Sequence, residues 1–307
     1  MNTGRAALLV LAAAVLFGTT GTAQALGPTG LDPLTVGSAR VVLAGAVLLG
    51  LAALRGAFRN VPRASWPLVV IGAVGVAVYQ VGFFSGVSLA GVAVGTITAL
   101  GSCPVWTGLV QWLVTGQRPG GTWLAATGLA VAGVGTLVLS SPGTGGSGSD
   151  AVLGAVLALA AGLGYAIYTV CAAKMISAGQ RSDGTMGLLF AAGGLALLPV
   201  LLWRWPGGLD GGDPAWLSGL GVIGYLVLVP TVLAYLLFGA GLRVLPAANV
   251  ATLNLAEPVV AALLGVLVLG EAFTGGGVLG ALLVLAGLGL LALPGKEKRR
   301  EPVAPAA

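Results

Sequence analysis

The chain has 307 residues, of which 57% are hydrophobic and 7% are charged, and its formal net charge is +5. Because soluble domains carry about 25% charged residues, this composition excludes an ordinary water-soluble fold. Histidine is absent, which removes the most common general base and metal ligand, so an enzyme, a metal site and a cofactor are not expected. The basic residues are spread over short segments, so nucleic acid is not an expected partner.

Apolar stretches of membrane-crossing length follow one another along the chain. A helix needs about 20 apolar residues to cross the hydrocarbon core of a bilayer. The sequence therefore predicts an all-α polytopic membrane protein with ten transmembrane helices and short connections. The predicted spans are residues 6–25, 33–54, 66–88, 92–113, 121–141, 152–172, 185–205, 215–238, 248–269 and 275–294.

The first span has a second interpretation as a secretory signal peptide. Arg5 precedes an apolar core, and Ala23-Gln24-Ala25 has the small residues of a cleavage site. Cleavage would leave one block of helices incomplete, whereas Phe17-Gly18 matches Tyr165-Ala166 at the corresponding place of a second block. We therefore expect the first helix to remain part of the protein.

Two blocks of five predicted helices align with each other in one register. Pro104 and Pro258 are 154 residues apart, and so are Gly116 and Gly270. An odd number of helices per block inserts the second block in the opposite orientation, which gives the inverted repeats that recur in secondary transporters. The predicted units are a first repeat at 1–141, a Gly/Ser linker at 142–150, a second repeat at 151–294 and a basic tail at 295–307.

The distribution of Lys and Arg predicts the orientation of the chain. Cytoplasmic segments of membrane proteins are enriched in basic residues. If both termini are cytoplasmic, twelve basic residues lie inside, and only Arg204 lies outside. The remaining one, Arg40, falls within the second span. We expect a multi-pass protein of the cell membrane with both termini in the cytoplasm.

The duplicated five-helix pattern resembles the EamA family of the drug/metabolite transporter superfamily over residues 6–294. The residues that carry the resemblance are Pro104 and Pro258 in each fourth helix and the Gly270-Glu271 pair after the second proline. The resemblance implies a ten-helix secondary carrier, commonly an exporter of amino acids or other small metabolites. The first repeat departs from the family pattern, because Gln117 stands where Glu is typical.

One acidic and one basic side chain are predicted deep inside the spans. Glu257 lies about 18 Å, and Arg40 about 12 Å, from the predicted outer ends of their helices. Ionisable residues at such depth are normally functional and have a partner or a wet cavity. The pair could bind a zwitterion or relay protons. Two structural alternatives are a permanent Arg40–Glu257 salt bridge that fixes packing, and an Arg40 side chain that reaches the membrane surface.

The two intramembrane prolines predict matched kinks. Pro258 cannot donate the hydrogen bond that the Asn254 carbonyl would accept, and Pro104 likewise frees the Leu100 carbonyl. Freed carbonyls at membrane depth are tolerated beside protein or a wet cavity, so we expect the substrate near Asn254 and Glu257. The alternative is that the kinks only shape the helix bundle.

A group of mostly aromatic side chains is predicted to wall the cavity. Each one alone is typical of packing, but together they favour an amphipathic organic solute over a bare ion. The predicted wall residues are Tyr79, Gln80, Phe83, Phe84, Trp106, Tyr165, Tyr168 and Tyr235.

These features favour a secondary transporter that exports a small polar or amphipathic solute, driven by protons or by exchange. The phosphate-binding loop of ATP-driven pumps is absent from the sequence. An importer or exchanger of the same solute is the nearest alternative, followed by a membrane enzyme acting on lipid-linked substrates and a structural membrane partner. The expected partners are the solute, the lipid bilayer and protons, for a monomer or a homodimer.

Overall fold

The computed structural model describes residues 1–27, 32–58, 61–140, 149–204, 215–270 and 274–292, and these residues form helices and no strands. A 3₁₀ turn at Arg63–Ser65 precedes the third helix. The helices are α1 (Thr3–Ala25), α2 (Pro33–Leu54), α3 (Trp66–Ala90), α4 (Val92–Thr115), α5 (Gly121–Leu139), α6 (Ser149–Ser177), α7 (Ser182–Arg204), α8 (Ala215–Val227), α9 (Ala234–Gly241), α10 (Ala247–Leu253), α11 (Ala256–Leu269) and α12 (Gly275–Ala292).

Eight helical stretches within the described residues are long and apolar enough to cross a membrane. They include α1, α2 and α3 near the N-terminus and a stretch that joins α10 to α11 at Ala247–Leu269. Helices α5 and α12 have 19 and 18 residues and are not among the eight. The all-helical, multi-pass architecture agrees with the prediction, whereas the predicted number of ten spans is not reached by this criterion.

The predicted span at 215–238 contains a change of helix type. A π-helical segment, Leu228–Leu233, joins α8 to α9. Pro230 within it has no backbone N–H, and the Thr231 hydroxyl donates a hydrogen bond of 2.7 Å to the Leu226 carbonyl five residues earlier. The wider turn therefore has a local cause, and such turns are frequent at functional sites.

Glycines bring the main helix pairs into backbone contact. The most extensive pairings are α3 with α6, α2 with α7, and α5 with α12. A Cβ added at Gly75 of α3 would lie 2.7 Å from the Gly164 carbonyl oxygen of α6. A Cβ at Gly133 of α5 would lie 2.7 Å from the Gly280 oxygen of α12. Close approach of this kind replaces hydrophobic burial as a source of helix association in lipid.

Several predicted features lie outside the described residues. They are residues 142–148 of the predicted linker, the carboxylate of Glu271 and the basic tail.

Candidate functional site

A cavity of about 700 Å³ extends from the C-terminal ends of α1 and α11 into the helix bundle. At the helix ends, Gln24 and Ala25 of α1 and Leu269 of α11 line it. In its deeper part the lining changes to charged, amide and phenol side chains. Polar groups converge where the surrounding helices are otherwise apolar, which is the usual character of a small-molecule site.

Ten of the predicted site residues line this cavity: Glu257, Arg40, Asn254, Tyr79, Gln80, Phe83, Phe84, Tyr165, Tyr235 and Pro258. These residues come from α2, α3, α6, α9 and the region of α10 and α11, so the fold gathers side chains that are up to about 200 positions apart in sequence.

Three predicted residues do not line this cavity. Tyr168 is 1% exposed and lies behind Tyr235, with 3.2 Å between their hydroxyl oxygens. Trp106 packs at the contact between α4 and α6, where its ring lies against Gly162. Pro104 is buried within α4. The side chains of a helix point in all directions around its axis, so a residue at the right depth still faces a neighbouring helix if its angular position is different.

The Arg40 guanidinium, one of the two charged groups of the cavity, is held by the side-chain amide of Gln80. The Arg40 Nη2 donates a hydrogen bond of 3.3 Å to the Gln80 Oε1. Gly37 lies one turn before Arg40, and a Cβ at this position would overlap the Gln80 side-chain nitrogen and the Phe84 ring. Glycine at position 37 therefore leaves room for Gln80 beside α2. The Arg40 Nε and the Gln80 Nε2 have no hydrogen-bond partner among the described residues.

The second charged group lies at an interruption between two helices. Helix α10 ends at Leu253 and α11 begins at Ala256, so Asn254 lies in the break. The Asn254 Nδ2 donates a hydrogen bond of 3.2 Å to the Glu257 Oε2, and its Oδ1 has no partner among the described residues. The Glu257 backbone N–H donates to the Asn254 carbonyl at 3.0 Å. The prediction of a free Asn254 carbonyl is therefore wrong, because a shorter-range backbone bond replaces the one that Pro258 cannot make.

The two prolines differ in their effect on the helices. Helix α4 continues through Pro104 without a break, whereas α11 begins only two residues before Pro258. In α4 the Cys103 thiol donates to the Ala99 carbonyl at 3.2 Å, and the Thr107 hydroxyl donates to the Cys103 carbonyl at 2.6 Å. Neither bond reaches the Leu100 carbonyl that Pro104 leaves without its backbone donor. The predicted pair of equivalent kinks does not appear as a pair of helix breaks.

No ion pair joins Arg40 to Glu257 in the described part of the chain. The ion pairs found there link Asp183 to Arg181 at 2.8 Å and to Arg55 at 3.8 Å, at the beginning of α7. Arg40 and Glu257 nevertheless line one cavity. The permanent salt bridge considered above is not formed in this structure, and both charged groups have faces available to a ligand.

Aromatic rings form the remaining wall and the base of the cavity. Tyr79 stacks on Phe83 with 5.9 Å between ring centroids, and Phe17 meets Tyr235 edge-on at 5.0 Å. Phe17 and Pro230 also line the cavity and are not among the site residues predicted from the sequence. The alignment of Phe17 with Tyr165 was a usable signal, because Tyr165 was itself a predicted wall residue. No comparable signal pointed to Pro230.

Comparisons with known proteins agree on the class of this chain. The model of the EamA-like transporter family matches residues 4–139 and 152–293. YwfM of Bacillus subtilis (strain 168), described as an uncharacterized transporter, is 39% identical over 298 residues, which are 96% of each chain. YicL of Salmonella typhimurium (strain LT2), described as an uncharacterized inner membrane transporter, is 25% identical and covers 97% of this chain and 99% of its own.

A solved crystal structure shares the fold. It has a TM-score of 0.77 and 22% sequence identity to this chain, and the match covers 94% of this chain and 96% of the other. The family match spans nearly the whole chain in two parts. The relative YwfM, which aligns over almost its full length, is also described as a transporter. The chain therefore belongs to the EamA-like transporter family.

Proposed function

We propose that this protein is a secondary active transporter of the cell membrane that exports a small polar or amphipathic solute by alternating access. Glu257 is the proposed site at which the solute exchanges with protons. The observation that carries the proposal is one cavity that exposes an arginine and a glutamate of opposite charge without an ion pair between them. Buried charges at membrane depth are costly, and such residues usually mark substrate or proton pathways.

The proposed transporter has ten transmembrane helices in two inverted repeats, 1–141 and 151–294. The pattern of helix contacts supports this arrangement. The pairing of α3 with α6 has a counterpart in α1 with α9, and α4 with α6 has a counterpart in α1 with α11. Swapping the first five proposed spans with the last five turns each of these helix pairs into its counterpart. Helices α5 and α12 contact each other extensively and are about 27 to 29 Å long, close to the hydrocarbon thickness.

The proposed orientation places both termini in the cytoplasm. The excess of basic residues in the segments on that side supports this orientation, and the description of YicL as an inner membrane transporter supports the proposed location in the cell membrane. In this orientation the C-terminal ends of α1 and α11 are at the outer surface, so the cavity opens outward. Its inner side is closed by buried rings, among them Tyr168, Phe190 and Phe238, which are at most 2% exposed. This is the outward-open state of an alternating-access cycle.

The Glu257 carboxylate has the surroundings that proton exchange requires. Its hydrogen-bond donor is the neutral Asn254 amide, and Arg40 on the other side of the cavity is engaged by Gln80. A carboxylate without a fixed counter-ion can gain a proton when the cavity closes and lose it when an opposite charge approaches. Movement of Arg40 toward or away from Glu257 would therefore couple proton release to the conformational cycle.

The test is transport by purified protein in liposomes that contain a pH-sensitive dye, challenged with pools of metabolites. We compare the wild type with Glu257→Gln and with Asp150→Asn, a matched loss of an exposed carboxylate at the start of α6. Solute-dependent proton movement should occur in the wild type and in Asp150→Asn and be lost in a folded Glu257→Gln protein. If Glu257→Gln moves protons at the wild-type rate, proton coupling through Glu257 is rejected.

A further inference from the structure

The cavity has two polar sides of opposite hydrogen-bonding character. On one side, α2 lines the cavity with Arg40, whose guanidinium is held by Gln80 of α3. On the other side, the break between α10 and α11 lines it with the Glu257 carboxylate, which is held by Asn254. A cationic donor thus comes from the first proposed repeat and an anionic acceptor from the second.

Each side fits one kind of charged group. A guanidinium without an ion-pair partner suits a carboxylate, which accepts charge-assisted hydrogen bonds. A carboxylate without an ion-pair partner suits an ammonium group, which only donates. A solute with a single charge would compensate one side and leave the other charge buried without a counter-ion, which is costly in a region of low dielectric. A zwitterion compensates both.

The size and lining of the cavity favour a solute with a large apolar part. Its volume of about 700 Å³ falls within the range of pockets that hold drug-sized ligands, about 300–1,000 Å³. Between the charged groups and the opening, the aromatic and aliphatic side chains of Phe83, Phe84 and Val138 line the cavity together with Thr96 and Gln24. The α11 stretch from Glu257 to Leu269, both of which line the cavity, is about 18 Å long. A single amino acid bound at the charged end would leave this apolar part unoccupied.

We infer that the solute is an amphipathic zwitterion larger than a single amino acid, of about the size of a dipeptide with large apolar side chains. This inference rests on the proposed transport function and specifies the ligand of that same cavity. The solute's carboxylate binds the Arg40 guanidinium that Gln80 holds, its ammonium binds the Glu257 carboxylate that Asn254 holds, and its apolar body lies along the aromatic wall. The two charged contacts come from the two repeats, so a bound solute bridges them.

The test uses ligand binding to the purified full-length protein in detergent, measured by isothermal titration calorimetry. The probes are phenylalanyl-phenylalanine, its C-terminal amide, its N-acetyl form and free phenylalanine. We expect the dipeptide to bind at least about tenfold more tightly than each of the other three, because each lacks one charge or the second apolar side chain; a tenfold difference corresponds to about 1.4 kcal/mol.

Two variants assign each charge to its partner. Arg40→Gln should abolish the preference for the free carboxylate over the amide and keep the preference for the free amine. Glu257→Gln should do the reverse. If a variant does not fold, the four probes on the wild type still decide the question. The inference is overturned if free phenylalanine or either capped dipeptide binds as tightly as the dipeptide, or if the dipeptide does not bind. Solute-driven proton movement from the metabolite pools would then still support the transport function.

Discussion

The fourth helix of the first proposed repeat and its counterpart in the second have the same proline and different structures. Helix α4 is continuous around Pro104, whereas the counterpart of Pro104, Pro258, follows the break between α10 and α11. In the same register, Leu100 corresponds to Asn254 and Cys103 corresponds to Glu257. The comparison shows that the proline alone does not decide whether the helix breaks.

The side-chain hydrogen bonds of the two segments differ as well. In α4, the thiol and hydroxyl side chains of Cys103 and Thr107 donate to carbonyls of the preceding turn within a continuous helix. In the second segment, the Asn254 amide donates to the Glu257 carboxylate instead of to the backbone. One copy of the duplicated helix therefore lines the cavity with the uncharged Thr96 and Leu100, while the other presents the acidic group of the proposed site.

The largest expected effect comes from placing an acidic group in α4, at the position that corresponds to Glu257. Cys103 is 2% exposed, so Cys103→Glu would bury a second carboxylate without a counter-ion. We expect the free energy of unfolding to fall by about 3 kcal/mol or more, because the effective cost of burying an unpaired ion is several kcal/mol. Unfolding of the purified protein by titration with a denaturing detergent measures this change.

Cys103→Ser is the matched control for that experiment. It keeps the size of the side chain and its hydrogen bond to Ala99, and we expect a change below about 1 kcal/mol. If Cys103→Glu were as stable as Cys103→Ser, water would have to reach this part of α4, and the two copies would be more alike than the comparison states.

An intermediate effect is expected from exchanging Asn254 and Leu100, the uncharged residues that correspond to each other in the two segments. Asn254→Leu gives the second segment the residue of the first and removes the hydrogen bond to Glu257. Because hydrogen bonds to charged groups contribute about 1.5–3 kcal/mol, proton-coupled flux in liposomes should fall about tenfold or more. Leu100 also lines the cavity but makes no hydrogen bond to Glu257, so the reciprocal change, Leu100→Asn, should lower the flux less than Asn254→Leu does. Equal losses in both variants would contradict the assignment of the chemistry to one copy.

The smallest expected effect concerns a buried hydroxyl pair. The hydroxyl oxygens of Thr127 in α5 and Thr252 in α10 are 2.9 Å apart, and the Thr252 hydroxyl also lies 3.1 Å from the Ala248 carbonyl. Thr252→Val keeps the shape but leaves the Thr127 hydroxyl without this partner, so we expect a loss of about 1 kcal/mol in the free energy of unfolding.

Thr98 stands in the register of Thr252 and makes no hydrogen bond to another helix within the described ranges. Thr98→Val should therefore change the free energy of unfolding by less than about 0.5 kcal/mol. The same detergent titration compares the two variants. A larger cost at Thr98 than at Thr252 would show that α4 depends on buried hydroxyl contacts more than α10 does.

Much of the site followed from the sequence because few residues could occupy it. Glu257, Arg40 and Asn254 stand out in spans that are otherwise apolar, and the structure brings all three to one cavity. The angular position of a residue around its helix could not be predicted in the same way, which is why Trp106 and Tyr168 were assigned to the wall. The hydrophobic pattern gave no help, because helices in lipid are apolar on most sides.

The close contacts between helices could not be predicted from the sequence either. The chain has 53 glycines, and nothing in their spacing distinguishes Gly37, which makes room for Gln80, from a glycine that faces open space such as Gly128. Their roles depend on which helix lies opposite, and that is a property of the assembled bundle.

The π-helical segment at Leu228–Leu233 makes the protein sensitive to the length of the chain and not only to its chemistry. Deleting one residue there would restore α-helical spacing and turn one half of the span relative to the other by about 100°. Tyr235 and Phe238 would then leave the ring cluster that they form with Phe17. A substitution in this segment can preserve the direction of the side chains that follow it, whereas an insertion or a deletion cannot. The number of residues in the segment should therefore be under stricter selection than their types.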